Sequence, residues 1–402
     1  MHLKQVFAWA SYDLANTIFS ALFVTFFFPF YIKNFLHGNE FQIGLVFGTS
    51  MLLVAFVVPI LGAISDKLNR RTPFVIFFTI VCCIFTFLVP FFGLYPALLF
   101  GLIANFCYHA ALTMYHAILP RVSTNANIGF VSGIGVTFGY IGTIISLIIA
   151  YPILRIIGWE TLQGTKAMLF TTAILFFLFS LIIFFLIKEK KHKKHLIKSH
   201  VLSSLKDIKN TFSKLKAQKG LIPFLFSLLF YNDAINAVII FLFLFGREVI
   251  GLSVQNFFFV YGIFAATAAL GAFFSGFIVD KIGSKKVLIS AGFLWIVIIL
   301  FLLKITNLTS FIIVGSIGGI ALAMVATASR PKLIELVPKN NVAEYFGFFE
   351  LTDKFSGVIG PIVFGYLVFI YGYSIALISL IVFFVVGLIF LYRVPNSRFY
   401  TI

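Results

Sequence analysis

The 402 residues are 61% hydrophobic and only 11% charged, against roughly 25% charged residues in a soluble domain. A water-soluble fold of this length has no interior large enough to hide that much apolar surface, so the composition excludes a soluble enzyme and requires a bilayer. The formal net charge of +17 does not indicate a nucleic-acid partner, because the basic residues fall almost wholly in short gaps between apolar runs, as they do where cytoplasmic positive charge orients a membrane protein.

A spanning helix needs about 20 mostly apolar residues. Twelve such runs are predicted in chain order: 6–32, 41–65, 73–94, 96–119, 128–153, 165–187, 221–246, 254–279, 286–305, 309–334, 343–370 and 373–393. Asp13 and Asn16 interrupt the first run and no small-residue cleavage site follows it, so it reads as a retained helix rather than a signal peptide. The third and fourth runs are divided at Gly93-Leu94-Tyr95-Pro96, where Gly and Pro supply a turn. Cys82, Cys83 and Cys107 fall inside apolar runs without metal-ligand spacing and read as reduced core residues. His109 and His116 share one helical face and read as packing residues ahead of a proton relay.

With the N-terminus inside, the inner segments carry Lys4, Lys67, Arg70, Arg71, Arg121, the eleven lysines of Lys188–Lys219, Lys281, Lys285, Lys286, Lys332, Lys339, Arg393 and Arg398; only Lys33, Arg155, Lys166, Arg247 and Lys304 remain outside. The asymmetry predicts both termini in the cytoplasm. The expected organisation is an N-terminal six-helix bundle (1–187), a basic cytoplasmic linker (188–220) and a C-terminal six-helix bundle (221–402). Within the linker, Leu202, Leu205, Ile208, Phe212 and Leu215 recur at three- and four-residue spacing between lysines. That pattern reads as an amphipathic helix on an anionic inner leaflet, with a solvated linker as the alternative.

The two halves repeat each other, which in transporters betrays an internal symmetry. Gly62-Ala-Ile-Ser-Asp66-Lys67-Leu-Asn69-Arg70-Arg71 after the second run is matched by Gly276-Phe-Ile-Val-Asp280-Lys281-Ile-Gly283-Ser-Lys285-Lys286 after the eighth. Asp13 and Asn16 match Asp233 and Asn236; Pro120-Arg121 before Gly129-Phe130 matches Pro338-Lys339 before Gly347-Phe348. The first of these segments resembles the signature loop of the major facilitator superfamily. That resemblance implies an all-α membrane fold of twelve helices in two pseudo-symmetric six-helix bundles facing a central cavity. It also implies a gating role for Gly62, Asp66, Lys67, Arg70, Arg71, Asp280 and Lys281; Ser284 stands in the second copy where a basic residue is expected.

Trp9-Ala-Ser-Tyr12-Asp13-Leu-Ala-Asn16, Ser132-Gly133-Ile-Gly135 with Gly139-Tyr140-Ile-Gly142, Tyr231-Asn232-Asp233, and Ser329-Arg330 through Glu344-Tyr-Phe346-Gly347-Phe348 to Lys354 and Gly360-Pro361 are similar to the vacuole-effluxer group, the autophagy-linked vacuolar amino-acid exporters and their bacterial relatives. The group has a glutamine shortly before the Ser-Arg pair, where this chain has Ala326.

Charges inside a bilayer cost roughly 2.5–3.5 kcal/mol each on insertion scales, so each needs a reason. Asp13 with Asn16, and Asp233 with Asn236, lie three residues apart on one helical face. The superfamily resemblance points both pairs into the cavity, where a carboxylate removed from bulk water suits proton uptake and release; hydrogen bonding to a neighbouring helix is the competing role. Glu350 and Lys354 have the favourable i, i+4 order for an ion pair, and Arg330 is placed to pair with Glu350 or Asp353; these four residues are expected to form a charge network that locks one conformation. Tyr12, Tyr140 and Tyr231 read equally as cavity walls or packing residues.

No Walker-type phosphate loop and no nucleophile–base set occur in the sequence, so the chain is not expected to be an ATP-driven pump or an enzyme, and no cofactor or metal is expected. The reading is a monomeric, proton-coupled secondary transporter of a small amino-acid-like solute, directed outward, in a bacterial plasma membrane. An exporter of drugs or lipid-like amphiphiles is the first alternative and a non-transporting sensor or scaffold the second.

Overall fold

The computed structural model describes residues 3–68, 70–118, 122, 128–187, 218–337 and 342–396. Within its helices, the side chains of 58–60, 62–64, 66–68, 128–133, 342–344, 346–347 and 350 are outside the description. Twelve helical spans are long and apolar enough to cross a membrane, and every regular element among the described residues is helical.

The first span is α1 (Leu3–Phe19), a π-helical stretch (Ser20–Phe27) and α2 (Phe28–Asn34) in succession. Next come α3 (Glu40–Leu68), α4 (Thr72–Leu88) with a short 3-10 turn (Val89–Phe91), α5 (Leu94–His116), α6 (Ile128–Ile157) and α7 (Leu162–Leu186). The second half contains α8 (Leu221–Glu248), α9 (Val254–Ile282), α10 (Ser284–Leu302), α11 (Leu308–Leu336), α12 (Val342–Phe355), α13 (Ile359–Tyr371) and α14 (Tyr373–Tyr392).

Helix starts are set by local chemistry where the chain leaves the apolar run. Thr161 Oγ1 accepts the Gly164 N–H at 2.9 Å at the head of α7, and Asn307 Oδ1 accepts the Ser310 N–H at 2.9 Å at the head of α11. A single residue, Gly372 at φ +80°, joins α13 to α14; only glycine turns the chain there without a Cβ penalty.

One predicted span is corrected. The run 343–370 reads as one helix, whereas the structure divides it into α12 and α13 with residues 356–358 in a turn. Pro361 in the first turn of α13 has no N–H to give to the carbonyl of Gly357, and its ring crowds that carbonyl. The only hydropathy sign of the break is Thr352-Asp353-Lys354 and Ser356 on its N-terminal side, since α13 itself is apolar.

The chain forms two compact units. The first comprises Met1–Lys198 with the short stretches Ile240–Leu244 and Ser253–Phe258; the second holds Ser199–Ile239, Phe245–Leu252 and Phe259–Ile402. In the first unit α1 packs on α6 and α7, and α4 packs on α5 and α7. In the second, α10 packs on α11 and α14, the same arrangement one repeat later. The first unit's core is aromatic: Phe19 sits 4.8 Å from Phe23, 4.7 Å from Tyr108 and 5.4 Å from Phe176, ring centre to ring centre.

Candidate functional site

Three polar side chains on α8 converge on the break between α12 and α13. Asn232 Nδ2 donates to Asp353 Oδ1 at 3.2 Å, and Asn236 Nδ2 donates to the Ser356 carbonyl at 3.4 Å. Between them, Asp233 Oδ1 accepts the Gly360 N–H at 2.8 Å. A broken helix leaves amides and carbonyls without intrahelical partners, and in lipid each must be satisfied from within the protein. Asp233 and Asn236 supply two of those partners, for the Gly360 N–H and the Ser356 carbonyl, while Asn232 binds a side chain.

Asp233 is fully buried, and its Oδ2 has no hydrogen-bond partner among the described residues. Its carboxylate also lies at the positive end of the α13 dipole. A Cβ on Gly360 would run into the Asp233 carbonyl oxygen, so glycine permits α8 and α13 to approach closely enough for the cap to form. The Tyr231-Asn232-Asp233 and Gly360-Pro361 motifs, far apart in sequence, are two sides of one junction.

The equivalent stripe on α1 meets a different neighbour. Asp13 is half-buried, and a Cβ at Gly135 of α6 would meet its Oδ2 and the Trp9 ring. Gly139 faces Thr17, and Gly142 lies against the Leu14 carbonyl. Here α6 continues as one helix from Ile128 to Ile157, with Pro152 in its last two turns, so α1 meets no helix break of the kind that α8 bridges. Asn16, 2% exposed, accordingly has neither amide atom hydrogen-bonded among the described residues.

Tyr12 and Tyr231 are both completely buried inside their own units. The Tyr12 hydroxyl shares a 2.6 Å hydrogen bond with Thr79 of α4; the Tyr231 hydroxyl donates to the Leu288 carbonyl of α10 at 3.4 Å. Each thus ties the first helix of its half to the third. Trp9 stacks on Tyr115 at 4.8 Å and donates its Nε1–H to the Tyr115 carbonyl at 3.3 Å. Tyr140 is half-buried on α6.

Of the expected charge network, Lys354 is 2% exposed and donates to Asp353 Oδ2 at 3.1 Å. Asp353 therefore binds Lys354 and Asn232 together. Arg330 is half-buried on α11 beside Pro331. Asp280 and Lys281 are exposed at the end of α9. Arg71 donates to the Ala117 carbonyl after α5. The Gly62, Asp66, Lys67 and Glu350 side chains, Arg121, Lys339 and the basic segment 188–217 lie outside the described residues.

A second polar cluster in the second unit is not among the sequence candidates. Lys332, wholly buried in the last turns of α11, pairs with Glu335 Oε2 at 2.9 Å and donates to the Pro395 carbonyl at 3.0 Å. Ser284 Oγ, at the head of α10, donates to Glu335 Oε1 at 2.8 Å. Lys285 Nζ reaches the Val394 carbonyl at 2.5 Å and that of Tyr392 at 3.1 Å. Two lysines thus bind the free carbonyls at the end of α14. The i, i+3 spacing of Lys332 and Glu335 is visible in the sequence, where Lys332 counts only as one of the inner-side basic residues. No cluster of three or more metal-ligating side chains occurs among the described residues.

Comparison with known proteins agrees with this architecture. The family model described as "Vacuole effluxer Atg22 like" matches residues 42–399. An uncharacterised MFS-type transporter, YxiO, from Bacillus subtilis (strain 168) is 24% identical over 98% of this chain and 95% of its own. An uncharacterised protein of Aquifex aeolicus (strain VF5) is 27% identical over 90% of this chain and 89% of its own. Among solved structures, a variant of the nucleoside transporter NupG aligns with a TM-score of 0.75 at 18% identity, over 97% of this chain and 98% of that one. A bacterial homologue of the human lysosomal transporter Spinster, inward-facing and unoccupied, aligns with a TM-score of 0.71 at 17% identity, over 97% and 95%. With twelve apolar spans and a family model covering most of its length, the chain belongs to the vacuole effluxer Atg22-like family and is an integral membrane transporter of the major facilitator type, not an enzyme.

Proposed function

We propose that this protein is a proton-coupled secondary transporter that exports a small amino-acid-like solute by alternating access, with Asp233 as the proton-carrying group. The observation that carries the reading is the division of labour within one buried carboxylate: Oδ1 caps the α12–α13 break, while Oδ2 is without a partner among the described residues. In its charged form the carboxylate holds the Gly360 N–H and the positive end of α13. A proton on Oδ2 removes that charge and weakens the hold, so proton occupancy biases the bend between α12 and α13. Breaks of this kind lie beside coupling and substrate groups in other transporter folds.

Within the first unit, Asn16 and Asp13, three residues apart on α1, are assigned as solute-contacting groups, and Asn236 is assigned to the same task within the second. Asn16 supports this placement, because a buried amide with no partner among the described residues is costly unless a ligand or water satisfies it. Arg330, Asp353 and Lys354, with Glu350, are assigned to the conformational charge network. The outward direction and the amino-acid class rest on the effluxer family alone.

Ala326, exposed on α11, favours a second reading. It offers a methyl where the resemblance calls for a glutamine amide, which suits an amphiphile with few polar groups.

The test is flux in proteoliposomes, with amino acids and amphiphiles as separate arms and with or without an imposed pH gradient. Asn is as good an N-cap as Asp, so Asp233→Asn is expected to keep the fold and gradient-independent exchange while losing gradient-driven accumulation. Unchanged gradient-driven accumulation in Asp233→Asn would refute the assignment of the proton to this residue.

A further inference from the structure

We propose that the first unit carries a binding site for an anionic phospholipid, in a groove between the start of α4 and the end of α7. The groove encloses about 400 Å³ and is lined by Arg70, Pro73, Ile76, Phe184, Phe185 and Ile187, with Thr72 at its edge. Among the described lining residues Arg70 carries the only formal charge, and none is acidic. The Arg70 side chain has a buried Nε with no acceptor among the described residues. A guanidinium partly withdrawn from water, with an Nε–H that has no acceptor among the described residues, is open to a further anion, and phosphate is the group that its planar fork fits in two-point fashion.

The remaining lining selects a lipid over a free anion. Ile76 and Phe184 are half-buried, Phe185 is 71% exposed, and all three belong to membrane spans within a few residues of their ends. That is the depth at which a phosphate group gives way to acyl chain. The α4 N-terminus has no side-chain cap, but its positive end meets the negative end of α7, so the two dipoles offset and the net attraction falls to Arg70. No acidic group among the described lining residues is placed to hold an ammonium, so the site is assigned to a headgroup whose net charge is negative rather than a zwitterionic one.

The site is distinct from any diffuse attraction of anionic lipid to the Lys188–Lys219 segment, and the experiment separates the two. Full-length protein is delipidated in detergent and titrated with phosphatidylglycerol, phosphatidylcholine or inorganic phosphate, with bound adducts counted by native mass spectrometry. One phosphatidylglycerol is expected to be retained in preference to phosphatidylcholine, and inorganic phosphate is expected not to displace it. Arg70→Ala should weaken that adduct about tenfold, the scale of a lost charged hydrogen bond. Arg70→Lys keeps the charge without the fork and should fall between the two, which decides the matter should the alanine variant not fold. Phe185→Ser, at an exposed position, should weaken lipid without creating phosphate binding. In a chain with Lys190, Lys191, Lys193 and Lys194 replaced by Gln, the Arg70 dependence should persist. Equal retention of phosphatidylglycerol by the wild type and Arg70→Ala or Arg70→Lys would overturn the site. So would equal binding of phosphatidylcholine, displacement by inorganic phosphate, or loss of the Arg70 dependence with the linker lysines.

Discussion

At Asp233 a carboxylate in the middle of a membrane span has a structural partner, the Gly360 N–H, on one oxygen and no partner among the described residues on the other. The two roles respond differently to substitution. Asp233→Ala removes the cap and should destabilise the protein by about 1–2 kcal/mol, whereas Asp233→Asn, a comparable cap, should cost far less; detergent thermal melts distinguish them. Gly360→Ala places a methyl against the Asp233 carbonyl and should cost about 1–3 kcal/mol through forced backbone shifts, with the same readout. Lys332 gives the contrasting case of a pair buried on both sides. Lys332→Met leaves Glu335 charged and uncompensated and should cost about 3–5 kcal/mol, while Lys332→Met combined with Glu335→Gln should recover much of that loss.

Among the elements, the eleventh span departs most from its equivalent in the first half. α6 runs without interruption, while α12 and α13 meet at a turn held open by Pro361 and bridged by Asn232, Asp233 and Asn236. Pro361→Ala restores the missing N–H and allows the two helices to merge. The expected outcome is unchanged or higher thermal stability together with slower transport, because merging removes the bend that protonation is proposed to control. The first span has an irregularity of its own, the π-helical stretch Ser20–Phe27, which is almost entirely buried. A π-helix is rare and hydrogen-bonds one residue further along than an α-helix, and no apolar periodicity announces it.

For the whole molecule, the charge distribution is the ground for expecting both termini inside. With both termini inside, Lys33→Cys should react with an impermeant thiol reagent added outside intact cells, and Lys286→Cys only after permeabilisation. Cys82, Cys83 and Cys107 are buried free thiols, so the native background should be low. Reversed labelling would invert the topology, and with it the assignment of the basic linker to the cytoplasm. The transport cycle belongs to the same scale: gradient-driven flux should vanish in Asp233→Asn while solute exchange persists.

Twelve spans and their order were legible in the sequence because burying apolar surface in lipid demands runs of a minimum length, and a run is a property of neighbours along the chain. The repeat was legible for the same reason: Asp13 and Asn16, and their counterparts Asp233 and Asn236, keep their spacing and order whatever they touch. What those residues touch was decided only in three dimensions. Asp233 and Asp13 have similar local sequence, yet one caps a broken helix and the other lies against Gly135 of an intact one. The pairing of Lys332 with Glu335, and its reach to a carbonyl 63 residues away, is likewise a tertiary fact. Hydropathy records how much a residue prefers lipid, whereas a hydrogen bond depends on which backbone groups the opposite helix has left unpaired, and that is settled only when the helices pack.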